Sequence, residues 1–273
     1  MLHRARISPL LAAIVLVAAA NLGVRGVLAA DQPASAEQAY FGTLAVMHAI
    51  PNAPFLRFDY RFAQVASGMP DHQEDWHAVE RTEDGHVRFK DDRGEDRPEH
   101  RRPFSYIRLD LFLKPAPAAA SQQFSIATDT PYKVIGSTGT RTTHYVITDA
   151  SDDATADCPG AMHLRLRPKA GADPFYYNLR ELWVTTATGR ICKAIAVWNG
   201  LIFMGHRSSV EVTLDVNAET GLIDRSSTAG IAHSGPFQAR YLITGHYTNV
   251  TSESSEPAGF FDKSFIETGE VMN

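Results

Sequence analysis

Cysteine is almost absent from this chain: Cys158 and Cys192 are the whole complement in 273 residues. Their wide spacing is not the close C-x-x-C of a redox pair. In an exporting compartment two such cysteines are expected to be bonded to each other. Signature motifs are missing as well. There is no G-x-S-x-G elbow, no H-E-x-x-H and no phosphate-binding glycine loop, so no serine-hydrolase, zinc-peptidase or nucleotide reading has a motif behind it. Glu181 and Asp215 offer a carboxylate pair of the kind glycoside hydrolysis uses, but almost any exported β protein offers one. Surplus positive charge is lacking too. The formal net charge is −5, which argues against nucleic acid and anionic membrane surfaces as main partners.

The first thirty residues read as an export signal. His3, Arg4 and Arg6 form a basic start, and Leu10 to Ala20 an apolar core too short to span a bilayer comfortably. Val27-Leu28-Ala29-Ala30 supplies small residues for cleavage. No cysteine stands directly after that point, so the acceptor of a bacterial lipoprotein is missing. This leader holds three arginines and no acids, and its removal takes the net charge from −5 to −8. The expected product is a soluble protein, periplasmic or extracellular, with residues 31–250 as one β-rich domain and 251–273 as a flexible tail.

Ser35-Ala36-Glu37-Gln38 is a capping-box pattern, and a helix is expected from Ala36 to Ala49 with Tyr40, Leu44 and Met47 on one face. Phe55 to Val65 alternates: Leu56, Phe58, Tyr60 and Phe62 point one way, Arg57, Asp59 and Arg61 the other. That is a half-buried antiparallel strand. Residues 68–102 are dense in charge and histidine and read as a solvated insert, with a short strand at Val87-Arg88-Phe89. Within it Asp71, His72 and His77 match no common metal-ligand spacing, so no metal and no cofactor is expected. Phe104 to Leu113 reads as a second strong strand, with Ile107, Leu109, Leu111 and Leu113 sharing a face. Shorter strands are expected at 124–127, 132–135, 144–148 and 162–167, with a turn at Gly136-Ser137-Thr138-Gly139.

The clearest hairpin is Tyr177–Gly200. Leu182-Trp183-Val184 and Ile191 to Trp198 flank the turn Thr186-Ala187-Thr188-Gly189. Cys192, Ala194 and Ala196 are small and are placed on one face with Trp198. An echo follows: Leu182, Val184, Thr188, Gly189 and Ile191 recur thirty-two residues later as Leu214, Val216, Thr220, Gly221 and Ile223. Two successive hairpins with like turn chemistry are implied, and no longer array, because the pattern does not extend a further step back. Phe237 to Val250 is the last strand, after which Phe260 and Phe261 are the only anchors for the tail. Asn249-Val250-Thr251 matches a glycosylation acceptor.

One helix followed by about ten antiparallel strands describes a mainly β (α+β) fold, a strongly curved sheet or half-barrel wrapped around an N-terminal helix. The capped helix, the aromatic strand Phe58/Tyr60/Phe62 and the unit "LWVTTATGRI" resemble the periplasmic outer-membrane lipoprotein carriers, the LolA/LolB-like half-barrels. The resemblance covers Ser35 to Val250. It implies an apolar cavity between sheet and helices that holds acyl chains without covalent chemistry. The insert, the cysteine pair and the lack of a second clear lid helix depart from that pattern.

The apolar strand positions outnumber what one helix buries. Phe58, Tyr60, Phe62, Leu109, Leu111 and Trp198 are therefore the candidate cavity lining. Three readings stand: a non-enzymatic carrier of a lipid-like ligand, an envelope assembly protein acting through its sheet edges and a protein partner, and a secreted hydrolase.

Overall fold

The computed structural model describes residues 35–50, 53–97, 107–115, 126–129, 143–151, 158–203, 206–234 and 237–261. They belong to one compact unit, Ala34–Asn273. The export signal, the strand at 132–135 with its following turn, and the end of the tail lie outside the described residues.

Helix α1, Ala36–Ala49, starts where expected. Ser35 Oγ accepts the Gln38 N–H at 3.2 Å, satisfying one of the orphan donors of the first turn. Tyr40, Phe41, Leu44 and Met47 are buried and Ala45 is exposed. The strands are β1 Phe55–Ala66, β2 His72–Arg81, β3 His86–Lys90, β4 Asp96–Arg97, β5 Leu113–Pro115, β6 Ile126–Thr128, β7 Tyr145–Asp149, β8 Ala161–Pro168, β9 Leu179–Thr185, β10 Ile191–Phe203, β11 His206–Val216, β12 Ile223–Ser234 and β13 Phe237–Glu253, with a one-turn helix α2 at Leu109–Phe112. Eleven of them form one antiparallel sheet in the order β4-β3-β2-β1-β13-β12-β11-β10-β9-β8-β7. β5 and β6 pair separately, in parallel.

The first strand thus pairs with the last, and the sheet stays open with β4 and β7 as its edges. It is curved, a half-barrel with α1 laid across its inner face. At one end of α1, Tyr40 meets Tyr145 of β7 with ring centroids 6.1 Å apart. Toward the other end, Ile50 rests on the turn between β11 and β12.

Three expectations need correction. Residues 72–90, read as mostly solvated insert, contain β2 and β3. Asp75 and His77 face outward against β1, in the pairs Arg61–Asp75 and Asp59–His77, while Trp76, Ala78 and the acid Glu80 are buried on the inner side. The segment ending at Leu113 is not a sheet strand. Leu109–Phe112 turns once as a helix, which puts Leu109 and Phe112 on one buried side, and Leu113 starts β5. Finally, a bulge in β10 between Ile191 and Lys193 turns Cys192 away from Ala194. Cys192 packs with Cys158, Ala161 and Trp183, while Ala194, Ala196 and Trp198 belong to the main core.

Cys158 and Cys192 form a disulfide, with Cα atoms 6.3 Å apart, inside the range a disulfide spans.

Candidate functional site

The inner face of the sheet is an almost continuous apolar surface. β1 supplies Leu56, Phe58, Tyr60 and Phe62, β10 supplies Ala194, Ala196 and Trp198, and β11 supplies Val210, Val212 and Leu214, all buried in one cluster. β12, by contrast, presents small side chains, Ser226, Thr228 and Gly230. Tyrosines from its neighbours lean over the gap. The Tyr241 ring lies over Gly230, and Tyr60 lies over Gly245, so that an added Cβ would collide with each ring. Tyr60 and Tyr247 meet at 5.0 Å between centroids, and Tyr60 and Phe89 at 5.7 Å. Burial raises the Tyr247 hydroxyl well above the ordinary phenol pKa, with the neighbouring Tyr60 adding to it and a hydrogen bond with Ser226 opposing it.

The six candidate residues fall in two places. Phe58, Tyr60, Phe62 and Trp198 stand on the inner face, with Trp198 fully buried. Leu109 and Leu111 lie on α2, part of a strap over residues 107–115. Leu109 joins the same core, whereas Leu111 is half-buried and leans on Gly85 in the β2–β3 turn.

The strap ties two hairpins together. The Ile107 N–H donates to Glu80 Oε2 of β2 at 3.3 Å, and the Ile107 carbonyl accepts the Ile223 N–H of β12 at 2.8 Å. Arg108 Nη1 donates to the Thr82 carbonyl at 2.5 Å, and its guanidinium also pairs with Asp110. Glu80 is fully buried, 3.8 Å from Arg108 Nε. Burial pushes its carboxyl up to about 8, against the pull of Arg108 and the Ile107 N–H.

Where the strap, the end of α1 and the two late turns converge, a crevice of about 10 Å³ remains, room for roughly one water. Met47, Ile50, Leu109, Ile191, Val216 and Gly221 line it, with Arg190 as the single charged group. The repeated T-G units build this corner. Thr188 Oγ1 accepts the Arg190 N–H at 3.3 Å, and Thr220 Oγ1 accepts the Leu222 N–H at 3.3 Å. Gly189 and Gly221 take φ of 67° and 75°, a conformation that costs glycine least. Val46 lies over the first turn and Ile50 over the second. Sequence reading found the echo but not its consequence: the two like turns hold up the end of the helix and frame an opening. Arg190, beside a turn glycine, carried no signal of its own.

The outer face is polar. A groove of about 620 Å³ opens over β2, β1 and β13, lined among others by Asp59, Arg61, Asp75, His77, Asp92 and Asn249. Asp59 Oδ1 meets His77 Nδ1 at 2.7 Å and its Oδ2 accepts from Asn249 at 2.6 Å. Burial works to raise the Asp59 carboxyl, but the hydrogen bonds from Asn249 and His77 outweigh it and hold its pKa below the ordinary value. Asn249 reaches Asp59 from a left-handed backbone, φ 52°, at a bulge of β13. The amide of the glycosylation triplet is thus engaged in this contact. A transverse row runs across the same face, one residue per strand in register: Asp75, Arg61, His246, Arg225, Asp215, Lys193, Trp183 and His163. Asp215 pairs with both Arg225 and Lys193, and His163 stacks on Trp183 at 4.2 Å. Among the described residues, no group of three or more His, Cys, Asp or Glu is placed to hold a metal.

A buried carboxylate, Asp129, organises the β7 end. It accepts from Thr143 Oγ1 at 2.7 Å and from the His144 N–H at 3.0 Å, and meets His144 Nδ1 at 2.6 Å. Its own N–H donates to Tyr40 Oη at 3.1 Å. The His144 ring stacks on Tyr177. These contacts join β6, β7 and α1 and account for the acid's burial.

No family model and no curated protein matches this chain. Solved structures with a similar course include a DUF1329 family protein from Desulfovibrio piger, 11% identical, over 84% of this chain and 98% of its own, with a TM-score of 0.38. Another is the LolA superfamily protein NE2245 from Nitrosomonas europaea, 12% identical, over 83% of this chain and 97% of its own, with a TM-score of 0.33.

Proposed function

We propose that this chain is an exported, non-enzymatic carrier of a hydrophobic, lipid-like ligand in the cell envelope, periplasmic or extracellular. The observation that carries the reading is the inner face of an open sheet. Its apolar surface extends from Phe89 on β3 to Leu164 on β8, thinned at β12 where Ser226, Thr228 and Gly230 stand, and one fourteen-residue helix crosses it. Hydrophobic side chains held between an open sheet and separable covering elements can exchange their mutual contacts for those of an acyl chain at little net cost. Phe58, Tyr60, Phe62, Leu109, Leu111 and Trp198 are the proposed lining. No helix among the described residues is long and apolar enough to cross a membrane.

Native mass spectrometry of the exported protein tests the reading. A bound species of lipid mass, released by organic solvent, is the expected result. An apo mass alone, together with no binding of a fluorescent fatty acid, overturns it.

A second reading, an assembly protein joined to an envelope partner through a sheet edge, draws on β7. Among the described residues this edge strand has one side without a sheet neighbour, and it exposes Val146. Stable co-purification of an envelope protein, lost on Val146→Lys, would favour it.

A further inference from the structure

The crevice beneath the end of α1 is apolar on every side but one. Arg190 stands at its rim, fixed by one arm only: Nη1 donates to the carbonyls of Ala218, at 3.3 Å, and Glu219, both in the neighbouring β11–β12 turn. Its Nε and Nη2 have no hydrogen-bond partner among the described residues, and no carboxylate pairs with it. Arg180 of β9 is held in the same one-armed way, by the carbonyls of Tyr177 and Leu179, but it does not line the crevice, and four other arginines are ion-paired. Arg61, Arg81, Arg108 and Arg225 each meet an aspartate within 2.7 Å. A guanidinium immobilised through Nη1 keeps the Nε–Nη2 fork, two parallel donors that match the oxygens of a carboxylate or phosphate. Behind it Ile191 and Val216 belong to the main core, so the crevice is continuous with the inner face.

We propose that this corner is the entry and head-group site for an anionic single-chain amphiphile, whose oxyanion sits on the Arg190 fork while its alkyl tail passes between α1 and the sheet. The proposal rests on the carrier reading and adds the ligand's charge and the point of entry. Charge complementarity selects the occupant: one unpaired cation at the mouth of an apolar crevice favours an alkyl oxyanion over a neutral or cationic amphiphile. In the arrangement described the crevice admits only a water-sized body, so the tail enters as Ile50 lifts from Gly221 and Leu109 of the strap moves aside. Ile50 meets Gly221 through apolar side-chain contact, which a methylene chain can replace.

The test uses the purified chain and a dansyl-labelled undecanoic acid, displaced in turn by laurate, dodecyl phosphate and 1-dodecanol. Laurate or dodecyl phosphate is expected to displace the probe at least about tenfold more tightly than the alcohol, as a charge-assisted hydrogen-bonded pair requires. Whichever of the two binds tighter identifies the head group. Arg190→Gln should remove that preference and leave dodecanol unchanged, and Arg190→Lys, a cation without the fork, should restore only part of it. Equal binding of laurate, dodecyl phosphate and dodecanol to the wild type overturns the head-group site but leaves the carrier reading standing. Failure of every alkyl compound, probe included, overturns both. The wild-type comparison stands even if Arg190→Gln loosens the two turns it joins.

Discussion

Ile50 lies on Gly221 so closely that a Cβ on the glycine would stand 2.4 Å from the isoleucine Cδ1. The residue after the last helical turn is thus seated on the backbone of the β11–β12 turn. Four residues earlier, Val46 lies over Gly189 at 3.6 Å from the corresponding Cβ position. Residues four apart share a helix face, and the two turns are two strands apart in the sheet. The repeated L-x-V-x3-T-G-x-I unit therefore provides two equivalent seats for one end of one helix.

Gly221→Ala is expected to destabilise the fold by about 1–3 kcal/mol, through its left-handed backbone and its collision with Ile50. Urea denaturation measures it. Adding Ile50→Ala should recover part of the loss by removing the collision but not the backbone strain. If the double variant is as unstable as the sum of the single ones, the two residues do not touch.

Much of this architecture is legible in the residues themselves. Ser35 and Gln38 mark the helix start, and Leu56, Phe58, Tyr60 and Phe62 mark both a strand and its buried face. β2 was hidden because two of its inner positions are Ala78 and Glu80, so the apolar alternation breaks where the strand is most buried. The strap is the opposite case. Ile107, Leu109 and Leu113 alternate with Arg108 and Asp110 as a half-buried strand does, but Arg108 and Asp110 pair with each other and with the chain beneath. A covering segment and a strand bury the same residues by different backbones. Arg190 was illegible because its property, one arm held and the other not, exists only once two turns remote in sequence meet.

The disulfide joins residues 34 apart, and reducing it should cost about 4 kcal/mol in the chain-entropy model. Alkylation should label the folded protein only after reduction, adding two groups to its mass. Trp183 packs beside this bond, so its emission should rise on reduction, whereas Trp198, in the other cluster, should not respond. Labelling of unreduced native protein would contradict the pairing.

Glu80 makes stability depend on pH in an uncommon direction. Its folded pKa is raised from the ordinary 4.5 to about 8, so across that interval the folded chain holds a proton that the unfolded chain releases. Stability is highest below the unfolded value and falls as pH rises toward 8, by up to about 1.4 kcal/mol per pH unit for one group. Burial dominates; Arg108 and the Ile107 N–H oppose it, and Asp110, Asp84 and Tyr247 are the other ionisable groups close enough to act on it. Glu80→Gln, which mimics the neutral acid, should remove most of this decline between about pH 5 and 8. Equal slopes for variant and wild type in urea titrations would show that the carboxyl is not protonated in the fold.

Helix burial is a direct measure of whether α1 is the core element. Leu44 is fully buried on its inner side, and Leu44→Ala should cost about 2–4 kcal/mol. An unchanged melting temperature would mean that the sheet keeps its core without the helix.

The two faces of the sheet let a ligand report its own position. Trp198 is fully buried on the inner face, Trp76 packs there against Phe89 at 5.7 Å, and Trp183 lies on the outer face between His163 and Lys193. A dansyl fatty acid held between α1 and the sheet should therefore draw excitation energy mainly from Trp198 and Trp76. Trp183→Phe should leave the energy transfer to the bound probe nearly intact, since Trp183 emission is also reduced by the neighbouring disulfide. Trp198→Phe should remove a large part of it, at a stability cost of about 1–3 kcal/mol for the lost ring volume. Transfer that survives Trp198→Phe but disappears with Trp183→Phe would place the probe on the polar outer face, in or near the groove beside Asp59 and His77. The inner lining would then be plain core, and the carrier reading would lose its site.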